Sequence, residues 1–262
     1  MDAYIDPQVE ALLQRIRDAG RAPFWRGTAM QARTAPSLMR MLFGDAPQLH
    51  RVEERTIDAA TGPVPVRIYI PNETPAGAIV YFHGGGWVIG SVADYDAFTA
   101  TLAERTDCAV ISVDYRLAPE HPYPAPLQDA VAALDWAAAH LKNVLGVEPG
   151  KLIVAGDSSG ANLATVSVRR CNARATARRY DFQVLAYPVT DADFDTASYH
   201  EFAEGRLLTR ADMMWFWDQY APDTGQRNDP DLSPLRADTL TGSPPALILV
   251  AALDPLRDEG ER

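Results

Sequence analysis

Residues 151–168 restrict what this chain can fold into more than any other stretch. They open with an apolar run, Lys151-Leu152-Ile153-Val154, which reads as a buried strand. They close with Ala161-Asn162-Leu163-Ala164-Thr165-Val166-Ser167-Val168, which reads as the start of a helix. Between the two lies Gly156-Asp157-Ser158-Ser159-Gly160. A strand that turns into a helix over so few residues brings the backbones on either side of Ser158 close together. The glycines two before and two after that serine supply the room. The pattern predicts a nucleophile elbow, with the Ser158 hydroxyl at a helix N-terminus, where backbone N–H groups and the helix dipole favour negative charge. An ordinary strand-to-helix turn would carry the same letters, so the rest of the chain decides between the two.

At 262 residues the chain is long enough for one α/β domain with a sizeable core. Its formal net charge of -11 argues against nucleic acid and against an anionic membrane surface as partners. Two cysteines, Cys108 and Cys171, make neither a disulfide framework nor a zinc site. They are expected to be free thiols in a reducing, cytoplasmic setting. Met1-Asp2-Ala3-Tyr4-Ile5-Asp6 lacks the basic-then-apolar pattern of a signal peptide, so none is expected. No apolar run reaches the roughly 18 residues of a membrane span.

Along the chain, Val9, Leu12, Leu13 and Ile16 predict an amphipathic helix over 7–19. Residues 21–49 add an irregular helical segment rich in Phe24, Trp25, Met30, Leu38, Met39, Met41, Leu42 and Phe43. From Val52 to Ile70 the period becomes two, and Gly62 and Pro63 are expected to separate two strands of an edge hairpin. Buried strands follow at 78–82, 109–113 and 151–154 and further strands at 182–187 and 246–250, with helices at 95–104 and 126–142 and after the elbow. Alternation of this kind predicts a single α/β domain over 1–262, with a mostly parallel sheet flanked by helices. Residues 190–240 break the alternation. There Thr209 is expected to cap a helix with Asp212, ahead of Met213-Met214-Trp215-Phe216-Trp217. Together with 1–49, residues of about 190–225 are expected to form a helical cap.

Two further stretches carry chemistry. His83-Gly84-Gly85-Gly86-Trp87 follows a buried strand directly. Three successive glycines are entropically costly, so something needs bare backbone there. Acyl transfer needs N–H donors aimed at the oxyanion of a tetrahedral intermediate, and a glycine loop offers them. His83 is expected to shape that loop and not to take a proton. Asp254 ends the last apolar run, where functional groups of open α/β sheets collect. It could orient an imidazole, or cap a helix that begins at Pro255.

With these motifs go Asp114-Tyr115-Arg116-Leu117-Ala118-Pro119-Glu120-His121-Pro122, Tyr187-Pro188-Val189-Thr190-Asp191 and Asp254-Pro255-Leu256-Arg257-Asp258-Glu259-Gly260. In their order and rough spacing the chain resembles the bacterial hormone-sensitive-lipase-like esterases of the α/β-hydrolase superfamily. The resemblance implies a carboxylesterase acting on short acyl esters, with no metal and no organic cofactor. It implies Ser158 as nucleophile, Asp254 as the triad acid, and Gly84, Gly85, Gly86 and Ser159 as the oxyanion hole. Trp87, Met214 and Trp215 are expected to meet the substrate. The family pattern usually has alanine and glycine where this chain has Ser159 and Ala161. Neither change removes a backbone N–H.

One departure is serious. In this superfamily the triad histidine follows the acid along the chain. Here His50, His83, His121, His140 and His200 all precede Asp254. The pattern predicts a chain cut before that histidine, with 246–250 left as an exposed edge that could pair two copies into a homodimer. The alternatives are a catalytically impaired protein and a ligand-binding protein on the same scaffold, as in the plant gibberellin receptors.

Overall fold

The computed structural model describes residues 4–18, 20, 22–34, 37–174 and 179–262. Seven strands form one sheet in the order β1-β2-β4-β3-β5-β6-β7. They are β1 (Arg51–Ala59), β2 (Gly62–Ile70), β3 (Gly77–Phe82), β4 (Cys108–Val113), β5 (Lys151–Asp157), β6 (Phe182–Ala186) and β7 (Ala246–Leu249). The first two pair antiparallel, β2 pairs antiparallel with β4, and the remaining five run parallel. Every residue of β3 and β4 is buried, the signature of strands covered on both faces.

The helices are α1 (Pro7–Asp18), α2 (Ala29–Thr34), α3 (Leu38–Phe43), α4 (Asp96–Thr106), α5 (Ala125–Leu145), α6 (Ser159–Asn172), α7 (Ala197–Glu201), α8 (Arg210–Tyr220) and α9 (Arg257–Glu261). Because β3 has β4 on one side and β5 on the other, the strand order reverses at β3, and a crevice opens beyond the carboxyl ends there. The register Phe82↔Gly156 sets the ends of β3 and β5 level. The glycine loop and the Ser158 turn therefore emerge side by side.

The hairpin corrects one expectation. Its turn is Ala60-Thr61, while Gly62 and Pro63 already belong to β2, paired with Ala59 and Asp58. A two-residue loop closes the antiparallel pair, so the turn falls one step earlier than the glycine and proline suggest. Tyr187 also lies outside β6, leaving the strand with φ 36°.

The two segments expected to form a cap meet in space. Asp212 accepts the Trp25 N–H at 3.1 Å, and the Phe24 and Phe216 rings lie 5.2 Å apart. The capping box is present, with the Asp212 N–H donating to Thr209 Oγ1 at 3.0 Å and the Thr209 N–H donating to Asp212 Oδ2 at 3.2 Å. At the far edge of the sheet, β7 leaves Leu247, Ile248 and Leu249 nearly half exposed. No helix among the described residues is long and apolar enough to cross a membrane.

Candidate active site

Ser158 holds φ 53° and ψ −121°, a conformation that costs a residue with a Cβ about 1–3 kcal/mol. Its neighbours fix it there. The Ser158 N–H donates to Ala186 O at 2.9 Å, and its carbonyl accepts the amides of Asn162 and Val189 at 3.2 and 3.3 Å. The Asn162 side chain donates to both Val189 O and Leu232 O at 2.9 Å. Gly160 is pressed against the end of β3, where a Cβ would stand 2.1 Å from Phe82 O and 2.4 Å from His83 O. The first α6 amides, Ser159 and Gly160, have no protein acceptor among the described residues, as expected of an opening helical turn.

The glycine loop is fastened at both ends to residues beside Ser158. The Gly84 N–H donates to Asp157 Oδ1 at 2.8 Å, and the Asp157 carboxylate also accepts the hydroxyls of Tyr81 (2.7 Å) and Tyr95 (2.9 Å). Burial pushes the Asp157 carboxyl up; the two phenols, the nearby His83 and the Gly84 amide pull it back. At the other end the Trp87 N–H donates to Ser159 Oγ at 3.2 Å. The amides of Gly85 and Gly86 have no protein acceptor among the described residues. Gly86 lies directly under a ring of α8: a Cβ there would be 2.2 Å from Phe216.

Of the residues predicted to donate to an oxyanion, Gly85, Gly86 and Ser159 keep their N–H groups available. Gly84 departs from that expectation, because its N–H is already committed to Asp157. Trp87 departs from its expected contact with substrate. It is fully buried, stacked on Tyr220 at 4.2 Å and edge-on to Trp217 at 5.0 Å. Met214 is 40% exposed on α8, and Trp215 is half-buried against Phe216. His83 is buried, donates from Nδ1 to Gly84 O at 2.8 Å and stacks on Tyr115, whose hydroxyl donates to His83 O at 2.8 Å. Burial pushes the His83 imidazole down, which keeps it neutral.

Asp254 follows β7 and is half-buried, and burial pushes its carboxyl up. Its Oδ1 accepts the Leu256 N–H at 2.9 Å and its carbonyl accepts the Arg257 N–H at 3.0 Å, so it shapes the entry to α9. Among the described residues no imidazole is hydrogen-bonded to Ser158 or to Asp254. His200 is exposed and pairs with Asp195 at 3.0 Å, His140 bonds Trp136 O at 3.0 Å, and His50 and His121 are exposed.

Sequence reasoning assigned no role to Asp157, although it stands inside the elbow motif, nor to Glu259. Glu259 is buried. Its Oε1 accepts the Thr190 N–H at 2.8 Å and its carbonyl accepts Thr190 Oγ1 at 2.6 Å, which locks 187–191 to α9. Burial raises its carboxyl well above the ordinary range; the Thr190 and Asp191 amides offset this in part and the Asp191 carboxylate adds to it. A raised folded value means that the native state holds this proton longer than the unfolded chain does. Stability from this group is therefore present at low pH and falls as pH rises from about 4.3 through the folded value. We expect urea midpoints of the parent to fall more than those of Glu259→Gln between about pH 4 and pH 8. Parallel curves would refute this.

The sequence profile of a family described as the alpha/beta hydrolase fold matches residues 79–262. The chain is 43% identical over 226 residues to the carboxylic ester hydrolase LipN of Mycobacterium tuberculosis, covering 82% of this chain and 59% of that protein. It is 38% identical over 263 residues to the esterase LipI of the same organism, covering 98% of this chain and 75% of that one. Among solved structures, the hyperthermophilic esterase of Pyrobaculum calidifontis superposes with a TM-score of 0.90 at 38% identity, over 99% of this chain and 83% of that one.

Proposed function

We propose a reaction from one premise: the chain belongs to the hormone-sensitive-lipase-like esterases of the α/β-hydrolase superfamily. The reading is a carboxylic ester hydrolase that works through an acyl-enzyme. Ser158 Oγ attacks the ester carbonyl, and the N–H groups of Gly85, Gly86 and Ser159 receive the negative charge that develops on its oxygen. Collapse of the tetrahedral intermediate expels the alcohol, and water then releases the acid by the same path. Asp254 is the group that would orient the imidazole acting as base. The observation that carries the reading is the pairing of a strained, half-exposed Ser158 with backbone donors that have no protein acceptor among the described residues.

The test is covalent labelling with a fluorophosphonate, followed by peptide mapping. With an imidazole present to activate it, in the chain or added to the buffer, Ser158 is expected to be the only serine modified. Modification elsewhere would overturn the assignment. A second reading, ligand binding on the same scaffold, is favoured by the lack of an imidazole against Ser158 among the described residues. It predicts no labelling even with imidazole in the buffer.

The cap reading joins residues 1–49 and about 190–225 to the one domain. Supporting it, the Phe216 ring covers Gly86, with the Phe24 and Trp215 rings packed against Phe216. The substrate class that fits is a short-chain ester. Each methylene that finds an apolar surface adds about 0.8 kcal/mol, a gain that a blocked channel cancels. Nitrophenyl esters of increasing acyl length are expected to show their highest kcat/KM at the short end, and a maximum at long chains would contradict the cap. The charge of -11 argues against nucleic acid as a partner. Buried, free Cys108 and Cys171 suit a cytoplasmic protein, and the apolar β7 edge suits pairing of two copies.

A further inference from the structure

We propose that Arg33 is a positioning residue for the oxyanion donors, coupling the seating of the N-terminal segment to the shape of the glycine loop. The inference rests on the reading of Gly85 and Gly86 given above. Arg33 belongs to α2, a surface helix of six residues in which Ala29 is the residue buried. So short a helix does not hold itself together. Its guanidinium nevertheless crosses to the far side of the loop. Nε donates to Val88 O at 2.7 Å and Nη2 to Ala118 O at 2.7 Å, while Nη1 and Nη2 grip Glu120 at 3.0 and 2.7 Å. The planar fork of arginine can span two carbonyls and a carboxylate at once; an ammonium cannot. The same pairing holds the Glu120 carboxyl below its ordinary range.

The two carbonyls are not arbitrary points on the surface. The Val88 amide donates to Gly85 O at 3.1 Å, and the Ala118 amide donates to Trp87 O at 2.9 Å. Arg33 therefore closes a ring of hydrogen bonds whose other members are the backbone of Gly85, Trp87, Val88 and Ala118. The residues inside that ring include both glycines with available N–H groups. The N-terminal segment also reaches the loop a second way, since Phe24 packs on Phe216 and Phe216 covers Gly86. Loosening Arg33 leaves the end of the loop that Asp157 does not hold tied to the elbow, among the described residues, by the Trp87–Ser159 bond alone.

Oxyanion donors act on the transition state more than on bound ester, so loss of their alignment lowers kcat and leaves KM nearly unchanged. The experiment compares Arg33→Ala, Arg33→Lys and Glu120→Gln with the parent by amide hydrogen exchange and by steady-state kinetics on a short nitrophenyl ester. Arg33→Ala is expected to exchange about tenfold faster over 84–90, with 151–157 in β5 unchanged, and to lose at least about tenfold in kcat with KM within about twofold. Glu120→Gln keeps both carbonyl bonds and should cost less in each measurement. Unchanged exchange over 84–90, a rise in KM at constant kcat, or a Glu120→Gln effect equal to that of Arg33→Ala would each overturn the proposal. If Arg33→Ala unfolds, seen as faster exchange in β5, Arg33→Lys decides: its loop must still exchange faster than the parent's. Fluorophosphonate labelling of a serine other than Ser158 would sink the Ser158 reading, while the exchange comparison would still decide the role of Arg33 in the loop.

Discussion

A protein of these 262 residues, assayed alone, is expected to hydrolyse esters about 10⁶-fold more slowly than one in which an imidazole reaches Ser158. A serine hydroxyl at neutral pH is a weak nucleophile until a neighbouring base takes its proton. The described residues bring no imidazole to hydrogen-bond distance of Ser158, and His83, His140 and His200 are engaged elsewhere. In a serine protease triad, loss of the histidine alone costs about 10⁶ in kcat, close to 8 kcal/mol of barrier. The backbone donors would still leave about 10³–10⁴ over the reaction in water. Nitrophenyl acetate turnover measures the deficit, and imidazole added to the buffer should recover part of it. A normal esterase rate from this chain would mean that another group serves as base, with His200 first to be replaced.

Gly160→Ala should be among the most damaging substitutions in the fold. Its Cβ would meet Phe82 O at 2.1 Å and His83 O at 2.4 Å, both of them backbone. No side chain can turn aside to relieve the clash, so α6 must back away from β3 and the glycine loop must open. Losses above about 4 kcal/mol arise from clashes of this kind in a packed core, against a total stability of about 5–15 kcal/mol. Denaturant unfolding of Gly160→Ala should show a collapsed or absent cooperative transition. A variant within about 1 kcal/mol of the parent would mean that α6 has slack the packing does not suggest.

The sheet was legible because its signals are local. The apolar runs in β3, β4 and β5, the glycine punctuation around Ser158 and the Thr209–Asp212 box each lie within a few residues. The glycine loop and the elbow could be named, with the residues they carry. What could not be read depends on partners distant in sequence. Asp157 meets Tyr81 across 76 residues and Gly84 across 73, so its hold on the loop, and the loss of Gly84 as a free donor, has no sequence signature. Arg33 reaches Val88 across 55 residues through a carbonyl, an acceptor every residue carries. Trp87 was expected to meet substrate; its burial against Tyr220 and Trp217 follows from how α8 docks. Gly62 and Pro63 misdirected the hairpin turn because strand pairing set its position.

The central claim is that Ser158 is the nucleophile and that Gly85, Gly86 and Ser159, not Gly84, supply the oxyanion donors. A crystal structure of the phosphonyl adduct tests it most directly. The claim predicts phosphorus bonded to Ser158 Oγ, with the phosphonyl oxygen about 2.7–3.1 Å from the amides of Gly85, Gly86 and Ser159, and the Gly84 N–H still on Asp157. Phosphorus on another residue, or a phosphonyl oxygen held by Gly84 after the Asp157 bond has broken, would contradict it.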